Sequence, residues 1–189
     1  LNGDHTLLRG GLVGLLQEAV LVAAQLMALA AKTAPKGLGQ DYVGIKIVSG
    51  EELGKLADEM ERFGRERGKA NFDRDAANVR QSAAVVLIYL TENKPLGLNC
   101  GACGYGRCEE VQLREGPEFP GPLCAWRLLD VGIALGSAAK MASLLNVDNR
   151  IMYRVGTVAR QMGLVQGAIA VGIPLAATSK NIFFDRPAK

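Results

Sequence analysis

Apolar positions along the chain fall into two kinds of block: long runs of helical length, and short β-branched runs bounded by turn residues. Residues 12–32 are apolar nearly all round, which predicts a buried helix. Pro35, Gly37 and Gly39 in "TAPKGLG" end it. "YVGIKIVS", 42–49, predicts a strand. Ser49 with Glu52 reads as a capping box that opens a helix from 50 to about 67. On that helix Glu51/Lys55, Asp58/Arg62 and Glu61/Arg65 each stand four apart, the spacing of a solvated, charge-paired face. Asp73 is placed to cap a shorter helix ending near Ser82, and the continuous apolar run "AAVVLIYL", 83–90, predicts a central strand.

After Cys124 a long helix is predicted to about Leu145, with Gly132 and Gly136 spaced for close approach of another helix. Asp148 is placed to cap a further helix over 149–162, with Gly163 just past its end. "AIAVGIPLA", 168–176, predicts a third strand, and "TSKNIFFDR" a tail carrying a short fourth. Strands alternating with helices predict one α+β domain over residues 1–189, three-layered, with a mixed sheet covered by helices. "REGPEFPGPL" reads as a loop within that domain, and no repeat is visible.

Composition narrows the class. With 49% hydrophobic and 22% charged residues the chain is globular, neither disordered nor fibrous. A net charge of +3, without Lys/Arg clusters interleaved with aromatics, gives no expectation of a nucleic-acid partner. Residues 12–31 and 126–147 are apolar enough to raise the question of a membrane span. Gln17, Glu18 and Gln25 interrupt the first, and Arg127, Asp130 and Lys140 the second. Charges inside a span are costly, so both segments are expected to be core helices, with no membrane span. The N-terminus shows no secretory pattern.

The chemistry concentrates in "LNCGACGYGRCEE", 98–110. Cys100, Cys103, Cys108 and Cys124 crowd into 25 residues of a chain that needs no disulfide staples. That points to a reducing, cytoplasmic interior and a metal centre. The spacing is C-x2-C-x4-C-x15-C: three ligands in one turn-rich loop and a fourth from a distant segment, as iron–sulfur clusters are wrapped. Thiolates are the soft ligands such clusters need. Gly101, Gly104 and Gly106 would let backbone N–H groups approach the sulfurs. A zinc site usually takes two separated pairs, and there is only one C-x2-C, with the single histidine, His5, far away. A dithiol redox site would leave two cysteines without a role, and a phosphate loop at "GACGYG" is a weaker explanation of the same glycines.

This segment, 98–125, resembles the four-cysteine module of the B subunit of Rnf-type electron-transport complexes and of the large subunit of corrinoid iron–sulfur proteins, where an "NCGxCG…C" loop binds a [4Fe-4S] cluster. Over about residues 18–186 the chain is similar to a prokaryotic family of ferredoxin-domain proteins frequent in anaerobes, on "AAKTAPKG", "DAANVRQSAAVVLI", "DVGIALGSAAKMASLLNVDNRIMY" and "GIPLAATSKNIFFDR". The resemblance implies a [4Fe-4S] protein of electron transfer. More weakly, "AAKTAPKG" after a long helix and the element order are similar to nitroreductases, which implies a nitroreductase-like fold with the cluster loop inserted, a homodimer, and FMN. The Arg-Ser-x-Arg start of that family is absent, and Lys36 and Gly37 replace its serine and asparagine.

Lys36, Arg150, Lys180 and Arg186, with Lys32, are the candidate contacts to a flavin phosphate or other anion, solvated surface or helix-end charge being the plainer reading. Asp130 and Lys140 read as satisfied polar groups at a subunit interface. Tyr105 and Trp126 flank ligands and are expected to shield a cluster, and the surface around Arg107, Glu109 and Glu110 to meet a redox partner protein. Three functional readings follow: electron transfer, a homodimeric FMN-dependent reductase with an accessory cluster, and a zinc-stabilised binding module without redox chemistry.

Overall fold

Two helices in succession between the first two strands decide how the sheet is wound. The computed structural model describes residues 5–184, with side chains from residue 13 onward. A long helix, α1 (His5–Thr33), leads to β1 (Val43–Ser49), α2 (Glu51–Glu66), α3 (Phe72–Arg80) and β2 (Ala84–Leu90). The cysteine segment follows, then α4 (Ala125–Leu144), β3 (Asp148–Asn149), α5 (Tyr153–Gln161) and β4 (Ile169–Ala176). The strand order is β1-β2-β4-β3. A mixed sheet was the expectation; every ladder is antiparallel, with Val43 opposite Leu90, Ala84 opposite Leu175 and Asp148 opposite Ala176. Between β1 and β2 the reason is the helix pair: two reversals return the chain against the direction of β1, where one helix would have returned it parallel.

The three layers are as the pattern predicts. β2 reads as an unbroken apolar run because both its faces are covered. Val85 and Leu87 point into a core with Leu56, Met60, Phe72 and Val158 from α2, α3 and α5. Val86, Ile88 and Leu90 point the other way, against Val20, Met27, Ala134 and Ala138 of α1 and α4. Fully burying a side chain of this size contributes roughly 1.5–3 kcal/mol, so this one strand anchors both cores. At Gly156 the fit is tightest: an added Cβ would lie 1.9 Å from the Ala170 carbonyl oxygen, so only glycine lets α5 sit on β4.

Several local expectations change. Ser49 is not a cap; it ends β1, and Gly50 turns the chain at φ 59° with no side-chain cap bond. Glu52 instead reaches Lys46 at 2.9 Å. Of the three charge pairs on α2 only Lys55–Glu51 forms, at 2.7 Å. Asp58 and Glu61 both take Arg80, at 2.7 Å, which binds α2 to α3, while Arg62 pairs along α2 with Glu59 and, at 2.9 Å, with Glu66. Asn71, in the left-handed region at φ 66°, precedes α3 in place of Asp73. Asp148 and Asn149 form an edge strand, not a helix start; α5 begins four residues later, and Gly163 ends it at φ 72° as expected. The tail forms no fourth strand within the described residues; its Phe183 plugs the α2/α3/α5 core.

The two apolar helices are only half covered. In α1 a stripe of Val20, Ala24, Met27 and Ala31 is buried, while Val22, Leu26 and Leu29 face outward. An outer-layer helix can offer the sheet one stripe only, which the composition of α1 conceals. Among the described residues Val13–Thr33 is the one helix long and apolar enough to cross a membrane by length and composition. In α4, Gly132 and Gly136 lie exposed with nothing within 4 Å of an added Cβ, so they mediate no helix approach inside the chain.

Candidate metal centre

The cysteine segment leaves β2 and returns at α4, and both ends are pinned by polar residues. The Asn93 side-chain carbonyl accepts the Cys124 amide at 2.9 Å, and its amide nitrogen donates to the Pro122 carbonyl at 3.2 Å. Three residues on, Arg127 is fully buried. Its Nε donates to the Lys94 carbonyl at 2.8 Å, Nη1 to the Gln40 carbonyl at 3.3 Å and to Asp130 Oδ2 at 3.2 Å, and Nη2 to Gln40 Oε1 at 2.5 Å. The guanidinium also stacks over Tyr42, 4.6 Å from the ring centre. Asp130 Oδ1 accepts the Gly37 amide at 2.7 Å. A buried ion pair is tolerable only when its remaining donors and acceptors are satisfied, and these are. The network fixes the first turn of α4, and with it Cys124, against the loop before β1.

Inside the segment, backbone conformation follows residue type. Asn99 adopts φ 48°, Gly101 72° and Gly104 89°, a region open to glycine and tolerated by asparagine. The Gly104 amide donates to the Gly101 carbonyl at 2.9 Å, closing a turn across Cys103. Asn99 clamps Cys108: its side-chain oxygen accepts the Cys108 amide at 2.8 Å, and its own amide donates to Cys108 Sγ at 3.4 Å. The Trp126 indole N–H donates to Cys100 Sγ at 3.2 Å. The Ala102 backbone amide first, and the indole second, hold the Cys100 thiol below its ordinary value. Arg107 and Glu109, both exposed, pair at 2.6 Å.

All four cysteines line one pocket, with Leu96, Leu98, Tyr105 and Trp126 among its walls. All four are free thiols: Cys124 is buried, Cys103 and Cys108 are half-buried, and Cys100 is exposed. As they stand, no three Cys, His, Asp or Glu side chains among the described residues are close enough together to hold a metal ion. What the fold supplies is the donor chemistry: four thiols lining one pocket, N–H groups aimed at two of the sulfurs, and no carboxylate or imidazole in the lining. That set fits an iron–sulfur group.

The candidate anion contacts sit elsewhere. Lys36 Nζ is buried and occupied, donating to the Ala31 carbonyl at 3.2 Å and to that of Lys32 at the end of α1, with Asp41 4.0 Å away. Arg150 donates to the Phe183 carbonyl at 3.4 Å and lies over the Phe184 ring. Lys180 is exposed on the tail, and Arg186 lies outside the described residues. Asp130 is buried within the chain with Arg127 and is not a partner of Lys140, which is exposed. Sequence reasoning missed Asn93, Asn99 and Arg127 as site residues. An arginine three positions before an aspartate in an apolar helix, and an asparagine directly before a ligand, were the available signals.

The fold is that of the nitroreductases. The chain superposes on an FMN-bound nitroreductase of Desulfitobacterium hafniense with a TM-score of 0.53 at 16% identity, covering 84% of this chain and 79% of that one. It superposes on an FMN complex of a putative nitroreductase of Desulfovibrio desulfuricans with a TM-score of 0.54 at 13% identity, covering 88% and 79%. An NADPH:FMN oxidoreductase of Vibrio harveyi gives 0.53 at 13%, with 84% of this chain matched to 60% of that one. Within that fold, the chain is 45% identical over 174 residues to an uncharacterized protein of Archaeoglobus fulgidus, 91% of this chain and 94% of the relative. Residues 120–186 match the family described as uncharacterized proteins containing a ferredoxin domain, and the chain belongs to that family. The matched residues include Cys124; the other three cysteines precede them.

Proposed function

We propose that the protein carries a [4Fe-4S] cluster on Cys100, Cys103, Cys108 and Cys124 and serves in electron transfer. The observation that carries this reading is the single pocket lined by all four free thiols in a member of a ferredoxin-domain family. A bound cluster would supply one-electron transfer. The chain's own residues hold and screen the site: Asn93 and Arg127 fix the Cys124 end, Asn99 clamps Cys108, and Leu96, Leu98, Tyr105 and Trp126 limit water. Closure round a cluster falls to the Cys100–Cys108 loop, whose positive-φ residues let it tighten while Cys124 stays fixed. Segment 98–125 thus acts as the module and the rest of the chain as its frame. The exposed Arg107/Glu109 pair, with Glu110, forms the face offered to a redox partner protein in the cytoplasm.

A second copy of the chain covers the outward apolar residues, Val22, Leu26 and Leu29 of α1 and Leu129 of α4, with Gly132 and Gly136 giving room for approach. Sedimentation of a homodimer supports this; a monomer at all concentrations contradicts it. A second functional reading, a flavin-dependent reductase with an accessory cluster, rests on the fold shared with FMN-bound proteins. Against it, Lys36 is already occupied by helix carbonyls and Asp41. FMN titration decides: binding with flavin bleaching by a reductant supports the reductase, and no binding removes it. For the principal reading, protein purified without oxygen is reduced with dithionite and examined by electron paramagnetic resonance. A signal of a reduced cluster supports electron transfer, and a fully loaded sample that cannot be reduced contradicts it.

A further inference from the structure

We infer that Trp126 sets the reduction potential of the centre through its indole N–H, and does more than shield it; this rests on the cluster reading above. The Trp126 Nε1–H points at Cys100 Sγ from 3.2 Å, across 26 residues of chain. The contact is built from both sides. Trp126 stands in the first turn of α4, whose position is fixed by the Asn93 bond to Cys124 and by the buried Arg127. Cys100 stands at the start of the glycine turn, between Asn99 and Gly101, both at positive φ. Shielding alone is a poor account of the ring, because Trp126 remains 41% exposed while Leu96 and Tyr105 complete the wall.

The electrostatics give the direction. A bound cluster that took one electron from an external reductant such as dithionite would gain one negative charge, part of it on the cysteine sulfurs. An N–H donor aimed at a sulfur stabilises the more negative, reduced state more than the oxidised one, so it raises the potential. Cys108 receives a comparable bond from the Asn99 backbone, which no side-chain substitution removes. The indole bond to Cys100 is the one a mutation can address.

Two substitutions separate the N–H from the ring. Trp126→Phe keeps an aromatic wall without a donor; Trp126→Gln keeps a donor without the wall. Iron and sulfide per chain are measured first on anaerobically reconstituted full-length protein, then midpoint potentials by redox titration followed by electron paramagnetic resonance. The expected result is wild-type loading in both variants, a potential lower than wild type in Trp126→Phe, and one nearer wild type in Trp126→Gln. Equal potentials in wild type and Trp126→Phe at equal loading overturn the role of the N–H while leaving the cluster intact. Equal shifts in both variants show that a donor at position 126 does not restore the potential, and also overturn it. A wild-type chain that takes up no iron or sulfide removes the cluster reading itself, and this inference with it.

Discussion

The side-chain oxygen of Asn93 accepts the amide of Cys124 at 2.9 Å, joining residues 31 apart and closing the cysteine segment at its neck. Replacing Asn93 with Leu leaves a partly buried N–H without its acceptor, a loss on the order of 1 kcal/mol. The expected outcome is a lower midpoint in urea and faster iron loss to a chelator, with unchanged helix content by circular dichroism. Iron retention equal to wild type contradicts the role given to this bond.

Arg127 and Asp130 form a buried ion pair at 3.2 Å. Arg127→Met alone leaves the Asp130 carboxylate buried with the Gly37 amide as its remaining partner, and breaking a buried pair this way costs roughly 3–5 kcal/mol. The double variant Arg127→Met/Asp130→Leu removes both charges and is expected to lose less than the sum of the two single variants. Urea unfolding of the four proteins measures the coupling; strictly additive losses contradict it.

Asp41 gives the pH dependence. Burial raises its carboxyl, but the hydrogen bond from Lys32, the Val43 amide and the charges of Lys36 and Lys32 outweigh this and hold it below the ordinary value. A group depressed in the folded state stabilises fully above its unfolded value, and that stabilisation is lost as pH falls through the folded one. Between about pH 5 and about pH 3, the wild-type melting temperature is expected to fall further than that of Asp41→Asn. The difference is small, because Asp41 is 30% exposed. Parallel curves contradict it.

Trp126 is the single tryptophan, which makes it a reporter as well as a ligand neighbour. Loading the chain with iron and sulfide is expected to quench its fluorescence by energy transfer to the visible absorption of a cluster, and chelation to restore it. Unchanged emission in protein shown to contain iron would place the metal away from Cys100.

The layers and the candidate ligands were legible in the sequence because each is a local signal. β2 is an uninterrupted apolar run, and the cysteines carry their own spacing. What was hidden depends on distant partners. The sheet direction turns on how α2 and α3 pack as a pair, and the edge strand at Asp148 exists only because β4 lies beside it. Lys36 looked free for an anion until the end of α1 and Asp41 were seen to occupy it. Asn93 and Arg127 shape the site through bonds to Cys124 and Lys94, pairings that no periodicity reveals.

Iron and acid-labile sulfide per chain, measured on protein handled without oxygen, test the four-thiolate centre most directly. The expected result is about four of each per chain, falling sharply when Cys124 is replaced by serine. One zinc per chain with no iron or sulfide would contradict it.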